Sequence, residues 1–385
     1  MTSQTTVAEA NRVALGRVLP GAYLAMMTQS LTITILGPVL PLLALENGTT
    51  PESLGLVFSL SGVGFLTGTL LSNRVARRIG LRPTIATGLA LLGLGLLGVM
   101  ALPLPWLYLA VFLETTGNAL VEVQLNRGVE FLAGDKPGET INRLHSMWGI
   151  GGILAALGTA ALIANGLPWR WIAGLTLAGV AFSAFMVHRW PWVEAPADAP
   201  AAPGGAGSSP TAWSVMAPFA LLYFVYVGLE ISTSAWATTF FSGLGEGVVV
   251  GALATAGYYL LFTLGRWFAG PVVDRLGLMR MVRVSLVVAV FGIALTAWPP
   301  ARLPGFALAG LGQSLVFPTL LVWGVRRHPT WRPELNALAL GGSGVASMTI
   351  PYLVGLGVAV FGPEALTPML TLLTIFVLAA TLVAR

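Results

Sequence analysis

The sequence has no cysteine, only three histidines and few charged residues. Without cysteine, disulfide bonds and thiolate chemistry are excluded. The histidines stand at positions 145, 188 and 328, too far apart for the short ligand spacings of zinc enzymes. The HExxH, GxSxG and GxxxxGK[ST] motifs are also missing. We therefore predict that the protein is not an enzyme, that it holds no metal and that it uses no cofactor other than a driving ion.

The content of charged residues is low enough to indicate that most of the chain lies in lipid and not in water. Only 9% of the residues are charged, 56% are hydrophobic and the mean hydropathy is +0.82, whereas soluble domains are about a quarter charged. The net charge of +5 comes from basic residues scattered singly among apolar runs, so no nucleic-acid partner is expected. The composition predicts an all-α, multi-pass membrane protein whose partner is the lipid bilayer.

Apolar runs long enough to cross a bilayer recur along the whole chain. A span needs roughly 20 apolar residues to cover about 30 Å of hydrocarbon, and about twelve runs meet this length. They lie near residues 19–45, 52–73, 83–103, 105–132, 140–164, 168–188, 213–242, 248–272, 280–299, 303–326, 334–360 and 363–384.

The basic residues predict the orientation of these spans. With the N-terminus inside, sixteen lysines and arginines fall in cytoplasmic segments and only Arg170 and Arg302 fall outside. Lysine and arginine concentrate in short cytoplasmic loops, so we predict an inner-membrane protein with both termini in the cytoplasm. The two remaining basic residues, Arg127 and Arg266, are expected to snorkel toward the cytoplasmic helix ends.

A segment rich in proline, alanine, glycine and serine interrupts the apolar pattern in the middle of the chain. The stretch "EAPADAPAAPGGAGSSPTAW" cannot bury a core and is typical of a flexible linker. The two halves echo each other, because "RRIGLRP" after the second span corresponds to "DRLGLMR" after the eighth. We predict a six-helix bundle over residues 1–190, a cytoplasmic linker over 191–212 and a second six-helix bundle over 213–385.

The fourth span carries an unusual polar pattern. In "FLETTGNALVEVQLNRGVEF" the residues Glu114, Asn118, Glu122, Asn126 and Glu130 recur at a spacing of four. On a helix this spacing places them along one slowly drifting stripe. A carboxylate in a membrane span normally faces the bundle interior or a water-filled cavity. With a rise of about 1.5 Å per residue, Glu114 lies about 12 Å below the outer start of the span, close to mid-membrane.

The loop "GPVVDRLGLMR" (270–280) resembles the cytoplasmic loop motif of the major facilitator superfamily. In that motif glycine permits close helix packing, and the Asp and Arg lock neighbouring helices in one conformation. The first-half copy, "NRVARRIGLRP", has Arg77 at the position of the Asp and Asn73 at that of the Gly. The resemblance implies gating roles for Arg77, Arg78, Gly270, Asp274 and Arg275.

Within the superfamily, the chain resembles the fucose permease-like sugar transporters over nearly its whole length. The similar segments are "ETTGN" (114–118), "HSMWGIGG" (145–152), "YVGLEISTSAW" (226–236), "FPTLL" (317–321) and "GGSGVASMTIPYLVG" (341–355). The resemblance implies proton-coupled sugar uptake, with Glu114 matching the fourth-helix glutamate of that group. Its first-helix aspartate has no counterpart in "AMMTQSLTITILGPVLP".

Two sets of residues are predicted to form the site. Buried acids are candidates for proton or ion coupling: Glu114, Glu122 and Glu230. Amides, aromatics and a histidine that would bond hydroxyl groups or stack on a sugar ring are candidates for substrate binding: Gln29, Asn118, Asn126, His145, Tyr226, Glu230, Trp236 and Gln313. For each of them a bond between helices is the alternative role, and for Trp236 the alternative is a position in the interfacial aromatic belt.

These observations predict a monomeric secondary transporter that works by alternating access. The favoured function is proton-coupled symport of a monosaccharide or related polyol, with sodium as the alternative driving ion. The competing functions are a proton-driven exporter of drugs or metabolites, a glycolipid flippase and, in another class, a non-transporting membrane receptor or scaffold.

Overall fold

A computed structural model describes residues 2–133, 137–190 and 210–383. In these ranges the regular structure consists of α-helices and short 3₁₀ turns, so the predicted all-α class is confirmed. The α-helices are α1 (Thr2–Thr34), α2 (Leu36–Glu46), α3 (Leu56–Ile79), α4 (Leu81–Ala101), α5 (Trp106–Ala133), α6 (Pro137–Ala164), α7 (Arg170–Arg189), α8 (Pro210–Ala235), α9 (Ala237–Gly243), α10 (Val248–Leu276), α11 (Leu278–Leu295), α12 (Arg302–Gln313), α13 (Val316–Arg327), α14 (Arg332–Phe361) and α15 (Leu366–Val383). The 3₁₀ turns are Ser53–Gly55, Pro299–Ala301, Pro329–Trp331 and Pro363–Ala365.

The number of membrane spans agrees with the sequence pattern. Eleven helical segments in the described ranges are long and apolar enough to cross a membrane. The twelfth predicted span is α5, which is 28 residues long. It is less apolar than the others because it carries the polar stripe, with three glutamates and Arg127. The fold is therefore that of a multi-pass membrane protein with twelve spans.

Three predicted spans are each divided into two helices. The first span breaks at Ile35 between α1 and α2, the seventh at Trp236 between α8 and α9, and the tenth at Ser314 and Leu315 between α12 and α13. Proline explains two of these breaks. It lacks the N–H that would bond the carbonyl four residues earlier, so Pro38 and Pro318 each interrupt the helical ladder.

The helices form two compact units. Unit 1 comprises residues 1–35, 63–152 and 168–199, and unit 2 comprises residues 36–62, 153–167 and 200–385. This division differs from the predicted one, because two segments of the N-terminal half belong to unit 2. The predicted bundles of residues 1–190 and 213–385 stay a prediction. Most of the predicted linker, residues 191–209, lies outside the described residues, and α8 begins at Pro210.

Small residues bring the helices of unit 1 into close contact around the polar stripe. A Cβ atom added to Gly95 on α4 would lie 2.5 Å from the Cβ of Glu114 on α5. Gly117 on α5 faces α4 in the same way, with the backbone N of Leu92 at 2.5 Å from its added Cβ. These glycines permit the two helix backbones to touch, and this packing fixes Glu114 in the interior of the unit.

In unit 2 the segment from residue 36 to 62 packs on helices of the C-terminal half. Ser59 donates a hydrogen bond of 2.7 Å to the carbonyl of Met348 on α14. The rings of Phe58 and Trp236 meet edge to face at 5.5 Å between centroids. A Cβ atom on Gly62 would lie 2.5 Å from the backbone N of Met348. The residues that make these contacts, Phe58, Ser59, Gly62, Trp236 and Met348, are called the end cluster.

Candidate functional site

The polar stripe of α5 changes from buried to exposed along the helix. Glu114 and Asn118 are 5% and 0% exposed, respectively. Glu122 and Asn126, further along, are half-buried, and Glu130 at the end of the stripe is exposed. The interior position predicted for Glu114 from its depth is therefore the position that it occupies in unit 1.

Glu114 and Asn118 face two polar residues of α1. The side-chain amide of Gln29 donates a hydrogen bond of 2.8 Å to the backbone carbonyl of Asn118. Thr32, one turn further along α1, lies next to the Glu114 side chain and donates a hydrogen bond of 2.7 Å to the carbonyl of Gln29. These four residues, Gln29, Thr32, Glu114 and Asn118, are called the Glu114 cluster. All four are at most 5% exposed.

Several polar atoms of the Glu114 cluster have no protein partner. They are Gln29 Oε1, Glu114 Oε1 and both side-chain polar atoms of Asn118. In the described part of the chain, no basic side chain is ion-paired with Glu114. Because a buried polar atom without a partner costs free energy, this arrangement is typical of a site that receives a small occupant.

Unit 2 contains a second acid inside a span, which is half-buried and has a partner on each oxygen. Oε2 of Glu230 on α8 accepts a hydrogen bond of 2.7 Å from the Tyr226 hydroxyl, one turn earlier. Oε1 lies 3.8 Å from Nη2 of Arg266 on α10. The side chains of Glu230 and Arg266 are 23% and 24% exposed, so both are partly accessible.

Aromatic rings and amides surround this pair. The side chain of Gln313 on α12 is buried and uses both polar atoms, because Oε1 accepts from the Tyr258 hydroxyl at 2.7 Å and Nε2 donates to Thr233 Oγ1 at 3.0 Å. The Tyr259 hydroxyl donates to Ser234 Oγ at 3.3 Å. The Arg266 guanidinium lies 4.1 Å from the centre of the Phe262 ring. We call this set of residues the Glu230 cluster: Tyr226, Glu230, Thr233, Ser234, Tyr258, Tyr259, Phe262, Arg266 and Gln313.

The structure brings most of the predicted site residues together, within two separate sets. Gln29, Asn118 and Glu114 meet in unit 1. Tyr226, Glu230 and Gln313 meet in unit 2, where the one proton of the Tyr226 hydroxyl is shared between the Glu230 carboxylate and the backbone carbonyl of Gln313. The predicted roles of all these residues stay predictions.

Six residues of the Glu230 cluster were not among the predicted site residues: Thr233, Ser234, Tyr258, Tyr259, Phe262 and Arg266. Arg266 was expected to snorkel toward the cytoplasmic end, and this was wrong, because its Nε donates a hydrogen bond of 3.0 Å to the carbonyl of Ser314 inside the tenth span. Tyr258, Phe262 and Arg266 recur at a spacing of four on α10. This spacing is the same signal that identified the stripe of α5, and it would also have identified Arg266 and Tyr258. Tyr259 had no such signal.

Other predicted site residues lie elsewhere. Trp236 is 1% exposed and its indole N–H donates to the carbonyl of Pro351 at 2.9 Å, so it does not belong to an interfacial belt. His145 on α6 is half-buried and has an interaction partner. Among the predicted gating residues, Arg77, Arg78 and Arg275 are exposed. The side chains at Gly270 and Asp274 lie outside the described residues.

Comparisons with known proteins agree with this architecture. The family model described as Major Facilitator Superfamily matches residues 22–333. The chain belongs to this superfamily. An uncharacterized MFS-type transporter of Yersinia pestis is 25% identical over 305 residues, which are 77% of each chain. The predicted membership is thus confirmed, and this is a family of transporters for which no catalytic activity is indicated.

Two solved structures show the same fold at low sequence identity. The nucleoside transporter NupG is 14% identical, with a TM-score of 0.77 over 97% of this chain and 98% of that one. The E. coli fucose:proton symporter FucP is 15% identical, with a TM-score of 0.61 over 96% of this major facilitator chain and 99% of its own. At these identities the likeness shows the fold alone.

Proposed function

We propose that this major facilitator protein transports a monosaccharide or related polyol in symport with a proton. The observation that carries the proposal is the partly accessible Glu230–Arg266 pair, which lies among tyrosine and phenylalanine rings in the interior of a membrane protein. A charged pair is expensive inside a membrane and is normally found where a substrate or ion passes.

The chemistry of the Glu230 cluster suits neighbouring hydroxyl groups. A carboxylate accepts hydrogen bonds, and a guanidinium offers five N–H donors in a rigid fork. Adjacent hydroxyls of a polyol both donate and accept, so one hydroxyl bonds Glu230 while the next bonds Arg266. The rings of Tyr258, Tyr259 and Phe262 give the apolar faces that a sugar ring packs on. By their names, the two solved neighbours also carry solutes with several hydroxyl groups.

The Glu114 cluster supports proton coupling. Oε1 of Glu114 has no hydrogen-bond partner, and in the described part of the chain no basic side chain is ion-paired with this buried carboxyl group. Because an ionised carboxylate without a charged partner is costly to bury, protonation removes a cost that is present in the empty state.

In the proposed cycle, a proton neutralises Glu114 and the solute binds at the Glu230 cluster. With Glu114 neutral, closing the protein around the solute no longer buries an unpaired charge, and the release of both ligands on the other side resets the cycle. Reciprocity requires that protonation tighten solute binding by the same factor by which solute tightens proton binding. Glu122, which is half-buried and lies about two turns further along α5, is proposed as the next group on the proton path.

The direction, membrane and oligomeric state are part of the proposal. We propose uptake across the inner membrane by a monomer with both termini in the cytoplasm, which the distribution of basic residues supports.

The proposal is tested by direct binding. Purified wild-type protein and Glu230→Gln are titrated calorimetrically with a panel of hexoses, pentoses, alditols and nucleosides, and with lipophilic cations and a glycolipid as competing classes. We expect one polyhydroxylated class to bind wild type and to bind Glu230→Gln about tenfold or more weakly, because a hydrogen bond to a charged group is lost.

A matched variant tests whether the loss is local. Glu364→Gln removes an exposed acid elsewhere in unit 2 and should leave the affinity unchanged. Binding of a lipophilic cation or a glycolipid, with no response to any polyol, would refute the sugar assignment in favour of the exporter or the flippase.

A further inference from the structure

The break in the tenth span leaves a backbone carbonyl inside the membrane without its usual helical partner. α12 ends at Gln313 and α13 begins at Val316. Pro318 has no N–H to donate to the carbonyl of Ser314, four residues earlier. In the described part of the chain, no backbone N–H bonds this carbonyl. An unpaired carbonyl in hydrocarbon costs several kilocalories per mole, so the break needs a donor from elsewhere.

Arg266 on α10 supplies that donor. Its Nε lies 3.0 Å from the carbonyl oxygen of Ser314. The neighbouring carbonyl of Gln313 accepts from the Tyr226 hydroxyl. Two side chains from other helices therefore hold the end of α12. A cation at this place also faces the negative end of the α12 dipole.

Both side chains also contact Glu230. Arg266 Nη2 is 3.8 Å from Oε1, a long ion pair, and Tyr226 is 2.7 Å from Oε2. The Tyr226 hydroxyl has one proton and lies between two acceptors, the carboxylate and the carbonyl of Gln313. A change at the carboxylate therefore changes how firmly the end of α12 is held.

We propose that Arg266 is a positioning residue that fixes the α12–α13 break and transmits ligand binding at Glu230 to it. A solute that bonds Glu230 and the free N–H groups of Arg266 pulls on the same guanidinium that holds Ser314. The Phe262 ring, 4.1 Å away, keeps the guanidinium plane in place. A lysine could not do this, because its single nitrogen does not reach two separated acceptors in a fixed fork. The transmission step rests on the proposed function, whereas the holding of the break does not.

The first span gives an internal comparison. Pro38 breaks it in the same way, yet in the described residues no side chain bonds the carbonyl of Thr34. The break in the tenth span thus differs from the break in the first span in having a side-chain donor, Arg266, for its backbone carbonyl.

Distances between two spin labels test, without any substrate, whether Arg266 fixes the α12–α13 break. The natural chain has no cysteine, so Leu303→Cys on α12 and Val322→Cys on α13, both at exposed positions, give one defined label pair. We expect a narrow distance distribution in the otherwise natural chain and a broader or shifted one with Arg266→Gln. An unchanged distribution with Arg266→Gln would overturn the proposal.

A second-site change separates the backbone role from charge pairing. Pro318→Ala restores an N–H for the Ser314 carbonyl, so it should narrow the distribution again in the Arg266→Gln background. Pro218→Ala, at an exposed proline inside α8, is the matched control and should not. If Glu230→Gln, and not Pro318→Ala, narrows the distance distribution of Arg266→Gln, then Arg266 only neutralises Glu230. That result would refute the proposal.

Transport assays complete the test in the same variants. Arg266→Gln should lower the maximal rate by about tenfold, more than it weakens binding, and Pro318→Ala should recover part of that rate. Loss of affinity alone, with the rate intact, would overturn the transmission step. If the spin-label distances respond as expected but the protein transports no polyol, the proposed function is refuted. The role of Arg266 in fixing the α12–α13 break is then still supported.

Discussion

The two units hold their interior acids in opposite ways. Glu114 in unit 1 is buried, has an oxygen without a hydrogen-bond partner and is ion-paired with no basic side chain in the described part of the chain. Glu230 in unit 2 is half-buried, bonded to a tyrosine and paired with an arginine. An unpaired acid gains most from binding a proton, and a paired acid is held ready for a ligand that replaces its partners. The contrast suggests a division of labour, with coupling in unit 1 and substrate binding in unit 2.

The largest expected effect comes from Glu114→Gln. The amide resembles the protonated acid and cannot release a proton, so accumulation of solute against a gradient should fall by about a hundredfold or more. Exchange of labelled for unlabelled solute should persist, because exchange needs no proton release. Uptake and exchange are measured in the same proteoliposomes.

Glu130→Gln is the matched control for this change, because Glu130 is the exposed member of the same stripe. Normal accumulation with Glu114→Gln, or an equal loss with Glu130→Gln, would contradict the assignment of coupling to the buried end of α5.

The next effect tests whether substrate binding belongs to unit 2. Tyr226→Phe removes the hydroxyl between Glu230 and Gln313, and we expect solute affinity to fall by about fivefold to tenfold. Gln29→Ala in unit 1 should change the solute affinity less than Tyr226→Phe does. It should change the pH dependence of uptake more than Tyr226→Phe does. The reverse pattern, measured by calorimetry and by uptake at several pH values, would exchange the roles of the two units.

A smaller effect is expected at the end cluster. Gly62→Ala places a methyl group against the backbone of Met348, which should destabilise the contact by about 1–3 kcal/mol. Labelling of a cysteine introduced at Ser59 should then become faster. Gly341→Ala, where nothing lies within 4 Å of the added atom, is the control. Equal labelling rates in both variants would show that this contact does not limit access.

Much of the fold follows from the sequence, because length and hydropathy define membrane spans directly. The interior position of Glu114 was also predictable, since its spacing and depth restrict it to one face and one level. The breaks at Pro38 and Pro318 could have been inferred from the missing N–H groups. The break at Trp236 is not followed by a proline, so no missing N–H group in the sequence indicates it.

The partners of Arg266 could not be predicted from the sequence. Its position in the chain allows either a snorkelling cation or an interior one, and the choice depends on Glu230 and Ser314, which lie on other helices. Likewise, the membership of residues 36–62 in unit 2 depends on contacts such as Ser59 with Met348, which are 289 positions apart. Pairings at such separations leave no periodic signal in a single sequence.

The central claim is tested most directly by charge movement on a solid-supported membrane. Polyols, sugars and nucleosides are added at several pH values, with and without sodium, to wild type and Glu114→Gln. The account predicts a solute-evoked current in wild type that depends on pH but not on sodium. The same solute should give no current in Glu114→Gln, although it still binds. A current that needs sodium, or that survives in Glu114→Gln, would contradict proton coupling through Glu114.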